Sequence, residues 1–252
     1  MSAIGIFGHP GHELFSIQWV ADNEAEVFCL TDGSGAKMAD RTRYSRAVIE
    51  NAGGHVGCVM GVCSDRALYT DFLSADPRRL AEMTRNIVDR ALQVHPKAVL
   101  TDAFEYFNPV HDIANTITDI VVRVLEEHGQ RAEKLVYPNE YPHVYDDEQA
   151  ALIRTLSPAE REWKKNAILA YKPLAYEYER LTEEGKTGVL QKERYFADPI
   201  RLDRIPDAEE TPYRTVFYED YGRRMVDRGR YETLITLDDH FRPMAARLVK
   251  EF

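Results

Sequence analysis

Two hydrophobic rhythms alternate along the first 140 or so residues. Short unbroken apolar runs predict buried strands, and segments with apolar residues three or four apart predict amphipathic helices. The runs are AIGIFG from residue 3, EVFCLTD from 26, VGCVMGV from 56, KAVLTDAF from 97 and EKLVYPNE from 133. Leu14, Ile17 and Val20 have helical spacing after the first run. The segment 40–54 reads as a helix with Asp40 as its cap and Gly53-Gly54 as its stop. Residues 76–96 read as a helix between Pro77 and Pro96, and 109–129 as a long helix from Pro109 to Gly129.

Strictly alternating strands and helices predict an α/β fold, Rossmann-like, with a mostly parallel sheet and helices on both faces. Beyond about residue 140 the rhythm changes. Residues 157–185 read as helical, with Ser157 as cap, Pro158 in the first turn and a break at Pro173. Residues 197–213 are rich in proline and acid and read as an irregular excursion, a candidate lid or subunit contact. Residues 217–252 read as a strand or turn followed by a closing helix. No composition break or repeat divides the chain, so the expectation is one domain over 1–252: a core of about 1–140 and a C-terminal embellishment of about 141–252.

Charge narrows the partners. The formal net charge of −10 provides no diffuse basic field for nucleic acid or an anionic membrane, and the basic triplet at 228–230 reads as solvated surface. Three cysteines are no disulfide framework. Cys29 and Cys58 lie in apolar runs, which predicts buried reduced thiols. No charged leader precedes the first strand and no apolar run is long enough to span a membrane, so a cytoplasmic protein is expected. A small-molecule substrate and a homo-oligomer are the expected partners.

In an open parallel sheet, ligands bind beyond the carboxyl ends of the strands. There the first strand delivers His9 and His12, the second Asp32 with Gly33 and Gly35, and the fourth Asp102 followed by Asn108, His111 and Asp112. His240, in the closing segment, is a further candidate. The His-x-x-His spacing on a turn lets two imidazoles face one point, a ligand pattern suited to zinc and to iron. His111 is the natural third ligand, and three protein ligands with an open position is the pattern of a catalytic zinc site. The alternative is that His9 caps a turn and His12 lies on the surface. The glycine stretch DGSG lacks the Gly-Lys-Ser/Thr ending of a phosphate loop and the dinucleotide glycine pattern, so no nucleotide cofactor is expected.

The stretch FGHPGHE resembles the His-Pro-Asp-Asp-Glu signature of the LmbE/PIG-L family of metal-dependent N-acetylglucosaminyl deacetylases and amidases. NPVHD resembles that family's second motif, His-Pro-Asp-His, and residues 30–54 resemble the strand, glycine loop and arginine-bearing helix between them. The resemblance spans about the first 140 residues. It implies metal ligation by His9, His12 and His111, with Zn2+ or alternatively Fe2+, and hydrolysis of an N-acyl or related C–N bond in a small polar molecule. It implies a role for Asn108 in polarising an oxyanion, and places an arginine, Arg43 or Arg46, on a polar substrate.

Two departures matter. His12 replaces a carboxylate ligand, and Gly11 stands where the family has its catalytic base. A neutral ligand leaves a bound metal more positive and more acidifying toward water, which offers a way to compensate for the missing base. The candidates to give the leaving amine its proton are Glu13, Asp112 and His240. Glu13 reads more readily as a backbone or positioning group and His240 as a satisfied surface or core histidine, while Asp112 is open to capping the long helix and Asn108 to being that helix's N-cap. Arg43 and Arg46 are equally open to helix-surface ion pairing. Two readings from other classes stay open: a non-catalytic metal- or sugar-binding descendant, and a non-hydrolytic iron enzyme.

Overall fold

The computed structural model describes residues 3–35, 39–183 and 187–252. Parts of two sequence expectations, the glycine loop at 36–38 and the helix end at 184–185, lie outside them.

The five predicted runs are strands: β1 (Ala3–Phe7), β2 (Glu26–Thr31), β3 (His55–Cys63), β4 (Ala98–Asp102) and β5 (Glu133–Tyr137). They lie parallel in the order β3-β2-β1-β4-β5. The intervening helices are α1 (Ile17–Asn23), α2 (Thr42–Asn51), α3 (Asp65–Ser74), α4 (Arg78–Val94) and α5 (Pro109–Glu127). Side chains alternate across β1, so Ile4 and Ile6 join one core with α4 and α5, and Ala3 and Phe7 join another with α1 and α2. Both faces are covered, and β1 is buried throughout.

The α/β architecture is as expected, with corrections in detail. Residues 65–74, given no element by periodicity, form α3, capped by Ser64 accepting the Ala67 N–H. In α2 the cap position is Arg41, and Asp40 accepts the Thr42 N–H one step earlier. Cys58 is exposed, because β3 is an edge strand and alternate residues face solvent; Cys29 is buried.

The C-terminal part extends the sheet. After β6 (Leu152–Thr155), α6 (Pro158–Ala170) and α7 (Ala175–Glu183), strand β7 (Lys192–Ala197) pairs antiparallel with β5, and β6 pairs antiparallel with β7. Both strands escape a hydrophobicity reading, since β6 has only four residues and β7 opens on charged Lys-Glu-Arg. Glu193 is tolerated in the interior because it receives the N–H groups of Gln18 and Trp19, the Tyr195 hydroxyl and the Lys164 ammonium at 2.7 Å. It thereby satisfies orphan donors at the start of α1.

Residues 217–227 form helix α8 (Phe217–Asp227), where a strand or turn was expected. Buried Tyr218, Gly222 and Met225 recur at helical spacing, which outweighs the β preference of the Phe-Tyr pair. A π turn at Leu237–Phe241 leads into α9 (Arg242–Val249). The excursion after β7 is irregular as expected, and it leans on the core: the Tyr106 hydroxyl donates to Pro206 O. Among the described residues no helix is long and apolar enough to cross a membrane.

Candidate functional site

Strand β1 lies between β2 and β4, so the chain order reverses there and the carboxyl ends of β1 and β4 open a crevice. His9 and His12 follow β1, and His111 lies in the first turn of α5 after β4. Gly8 lets the two segments meet: a Cβ there would stand 2.8 Å from Val110 O, so only glycine permits this approach.

The three imidazoles gather, with ring centroids separated by 5.4 Å (His9–His12), 5.1 Å (His9–His111) and 4.5 Å (His12–His111). All three pairs are edge to face. His9 and His111 are buried, while His12 keeps some exposure.

Hydrogen bonds at Nδ1 orient two of the rings, one to a hydroxyl and one to a carboxylate. His9 Nδ1 lies 2.8 Å from Thr31 Oγ1 and 3.1 Å from Asp65 Oδ1. Thr31 donates its own hydroxyl to Gly8 O, so its oxygen is left to accept from His9. His12 Nδ1 lies 2.8 Å from Asp102 Oδ1. Asp102 also receives the Gly8 N–H at 2.8 Å and the Asn139 side-chain amide at 2.6 Å. With Nδ1–H donated in this way, Nε2 of each ring carries the free lone pair.

Burial would raise the Asp102 carboxyl, but the charge and hydrogen bond of His12 hold it down at about 2. Burial would likewise depress His12, and the Asp102 charge outweighs it and raises that imidazole. His111 is pushed well below the ordinary range by burial and by His12, so it stays neutral. Its Nδ1 is buried without a hydrogen-bond partner. Asp65, also buried, is held low by the hydrogen bond and charge of His9.

The other sequence candidates divide. Glu13 is buried and turned inward, accepting the Gly11 N–H at 2.8 Å and the Ser45 hydroxyl at 2.5 Å. Burial raises its carboxyl. It braces the turn that carries His12. Asp112 is buried too; its Oδ1 accepts the N–H groups of Glu105 and Tyr106, its Oδ2 lacks a partner, and burial raises it strongly. Asn108 is the N-cap of α5, accepting the Val110 N–H at 2.9 Å. His240 receives the Thr236 N–H at Nδ1, a contact within its own π turn. Asp32 accepts the Ser34 N–H and so shapes the glycine loop.

Of the arginines, Arg43 is exposed and donates to the Tyr44 hydroxyl, and Arg46 is exposed. Arg41, by contrast, is half-buried. It lies over Gly33, with Nη2 2.6 Å from where a Cβ would stand, and its Nε is buried without a partner. Its positive charge bears on both His12 and Tyr171. Sequence reasoning also passed over Asp65, which the unpredicted α3 brings to His9, and Asn139, beyond β5. The available signal was position: each follows the carboxyl end of a parallel strand.

Gly11, between His9 and His12, has φ +113°, the left-handed region that favours glycine. The Leu174 Cδ1 atom fills the space a Cβ would need there. Among the described residues, no three His, Cys, Asp or Glu side chains stand with their ligand atoms already placed around one ion.

No family model matches the chain, and no curated protein matches it. Solved structures do. The chain resembles N,N'-diacetylchitobiose deacetylase from Pyrococcus horikoshii at 13% identity and TM-score 0.52, covering 79% of this chain and 84% of that one. It resembles the conserved protein TT1542 from Thermus thermophilus at 13% identity and TM-score 0.54, covering 79% and 95%. It also resembles a triple mutant of a deacetylase from the teicoplanin biosynthetic pathway at 14% identity and TM-score 0.55, covering 78% and 97%. The chain therefore has the α/β fold of these proteins.

Proposed function

We propose that this protein is a divergent member of the LmbE/PIG-L group, a metal-dependent hydrolase that cleaves an N-acyl or related C–N bond of a small polar substrate. The observation that carries this reading is the histidine cluster at the switch point of a deacetylase-like sheet.

The donor set suits a divalent metal. Three imidazoles on one zinc, with Zn–N about 2.1 Å, have ring centroids roughly 5 Å apart, close to the spacing here. His111 is neutral with an orphaned buried nitrogen, His12 is fixed through Nδ1 by the Asp102 carboxylate, and His9 is fixed through Nδ1 by the Thr31 hydroxyl. His9, His12 and His111 would hold the ion. Zinc there would lower the pKa of water and polarise a carbonyl.

The chain's own groups do the rest. Asp102 and Thr31 hold two of the rings, with the Asp65 carboxylate beside His9. Asn108 commits its oxygen to the helix cap and keeps its NH2 group to donate to a substrate carbonyl. Arg41, not Arg43 or Arg46, takes a polar substrate group. Glu13 and Asp112 act by position.

Gly11 with Leu174 beside it favours a second reading, a binding module that has lost the base. Plasma mass spectrometry of untagged protein beside His111→Ala, followed by release of amine from N-acyl substrates, separates the two. Near-stoichiometric zinc lost in the variant, together with turnover, supports the hydrolase. Iron turns the search to redox chemistry. Metal-bound protein without turnover leaves the binding module, and protein that stays metal-free after reconstitution ends the metal reading.

A further inference from the structure

Three donors converge on the Asp102 carboxylate, and they come from two parts of the chain. Its Oδ2 takes the Gly8 N–H at 2.8 Å. Its Oδ1 takes His12 Nδ1–H at 2.8 Å and the Asn139 side-chain amide at 2.6 Å. Gly8 and His12 both lie on the segment after β1 that Asp102 holds, so they shift with it. Asn139 lies in the loop after β5 and ties the same carboxylate to a different part of the fold.

That loop is itself clamped. Strands β4 and β5 lie side by side with Asp102 opposite Tyr137, and the Ala103 N–H continues the pairing to Tyr137 O at 3.0 Å. Pro138 then offers no N–H. The next three N–H groups, from Asn139, Glu140 and Tyr141, converge on the buried Glu105 carboxyl at 3.1, 3.0 and 2.9 Å. Asn139 therefore commits its backbone N–H to Glu105 and its side-chain amide to Asp102, two points on the chain that leads from β4 into α5. The Tyr141 ring closes the same loop edge to face on Phe107, with centroids 5.9 Å apart.

Loop packing alone does not call for this arrangement. Asparagine in a loop ordinarily bonds backbone close to it in the chain. This amide crosses instead to a carboxylate at the end of the neighbouring strand. A carboxylate turns readily about its Cβ–Cγ bond, because that torsion is broad. A donor held from outside the β1 segment reduces it to one orientation. That orientation sets where the His12 Nδ1–H is held, and so leaves Nε2 as the nitrogen able to bind.

We propose that Asn139, held by Glu105, is a positioning residue for His12 and acts through the Asp102 carboxylate. This rests on the hydrolase reading for the metal that His12 would bind, and on the hydrogen bonds alone for how the ring is held.

Two measurements on the full-length protein test it. The first uses chelator-stripped protein: NMR with labelled histidine follows solvent exchange of the His12 Nδ1–H in wild type and Asn139→Ala. The second is zinc affinity, by competition with a chromophoric chelator, in wild type, Asn139→Ala, Asp102→Ala and the double variant. The proposal expects Asn139→Ala to speed the exchange about tenfold, to weaken zinc binding about tenfold, and to add nothing once Asp102 is replaced. Asn139 is only half-buried and the Ala variant keeps its N–H for Glu105, so the fold is retained; a circular-dichroism melt checks this. Unchanged exchange overturns the proposal, whatever the melt shows. A zinc loss as large in the Asp102→Ala background as in wild type also overturns it, because the residue would then act through general stability. Should Asp102→Ala fail to fold, the exchange comparison decides alone. Wild-type protein that binds no zinc sinks the hydrolase reading, and the exchange comparison still decides how the ring is held.

Discussion

Leu174 stands where any side chain at residue 11 would project, so the C-terminal part of the chain fills the volume beside this turn. Gly11→Asp is therefore expected to destabilise the protein, by about 1–3 kcal/mol for the left-handed backbone and a similar amount for overpacking. A thermal melt should show the loss, with part of it recovered in Gly11→Asp/Leu174→Ala. An undiminished melting temperature in the single variant would contradict this packing.

Arg41 and its neighbours give a sharper contrast. Arg41 is half-buried over Gly33 with its charge bearing on His12, while Arg43 and Arg46 are exposed, so on the hydrolase proposal Arg41→Ala should weaken binding of an N-acyl substrate by about ten- to a hundredfold. Arg43→Ala and Arg46→Ala should stay within about twofold. Titration calorimetry on the three variants decides it; equal losses would remove the assignment.

Glu105 predicts a pH dependence. Its buried carboxyl receives the N–H groups of Asn139, Glu140 and Tyr141, yet burial dominates and pushes it up to about 8. The folded state thus holds this proton more tightly than the unfolded chain. Its contribution is fully present below the ordinary glutamate range near 4.5 and is lost as pH rises toward about 8. Glu105→Gln should flatten the stability profile over that window by a few kcal/mol. Urea melts at pH 5 and pH 8 would show whether the wild-type difference shrinks.

The Lys164–Glu193 pair is fully buried. Lys164→Met alone should cost about 3–5 kcal/mol, because it strands a buried carboxylate. Lys164→Met/Glu193→Gln should recover part of that, since the buried charge is gone and the single glutamine oxygen still accepts from one of the two N–H groups of α1. Denaturant unfolding of both variants measures the difference.

The parallel half of the fold was legible in the sequence because each of its strands is an unbroken apolar run, the mark of a strand covered on both sides. The histidines were legible because they follow two such runs. The rest was hidden for identifiable reasons. Strand β7 begins with charges whose partners lie in α1 and α6, so its burial depends on contacts no local window contains. Arg41 looked like part of a charged helix start, and only its position over Gly33 separates it from Arg43. Glu13 and Asp112 sit beside site residues in the chain, yet their carboxyls turn toward backbone N–H groups.

The antiparallel pairing of β5 with β7 also bears on how the molecule is made. As the chain leaves the ribosome, the five parallel strands are complete some fifty residues before their outer partner exists. Until then β5 presents an open row of N–H and C=O groups, and the first N–H groups of α1 lack Glu193. The turn that carries His9 and His12 is thus synthesised early and secured late, which makes a nascent chain stalled between residues 140 and 190 the form most exposed to pairing with another molecule.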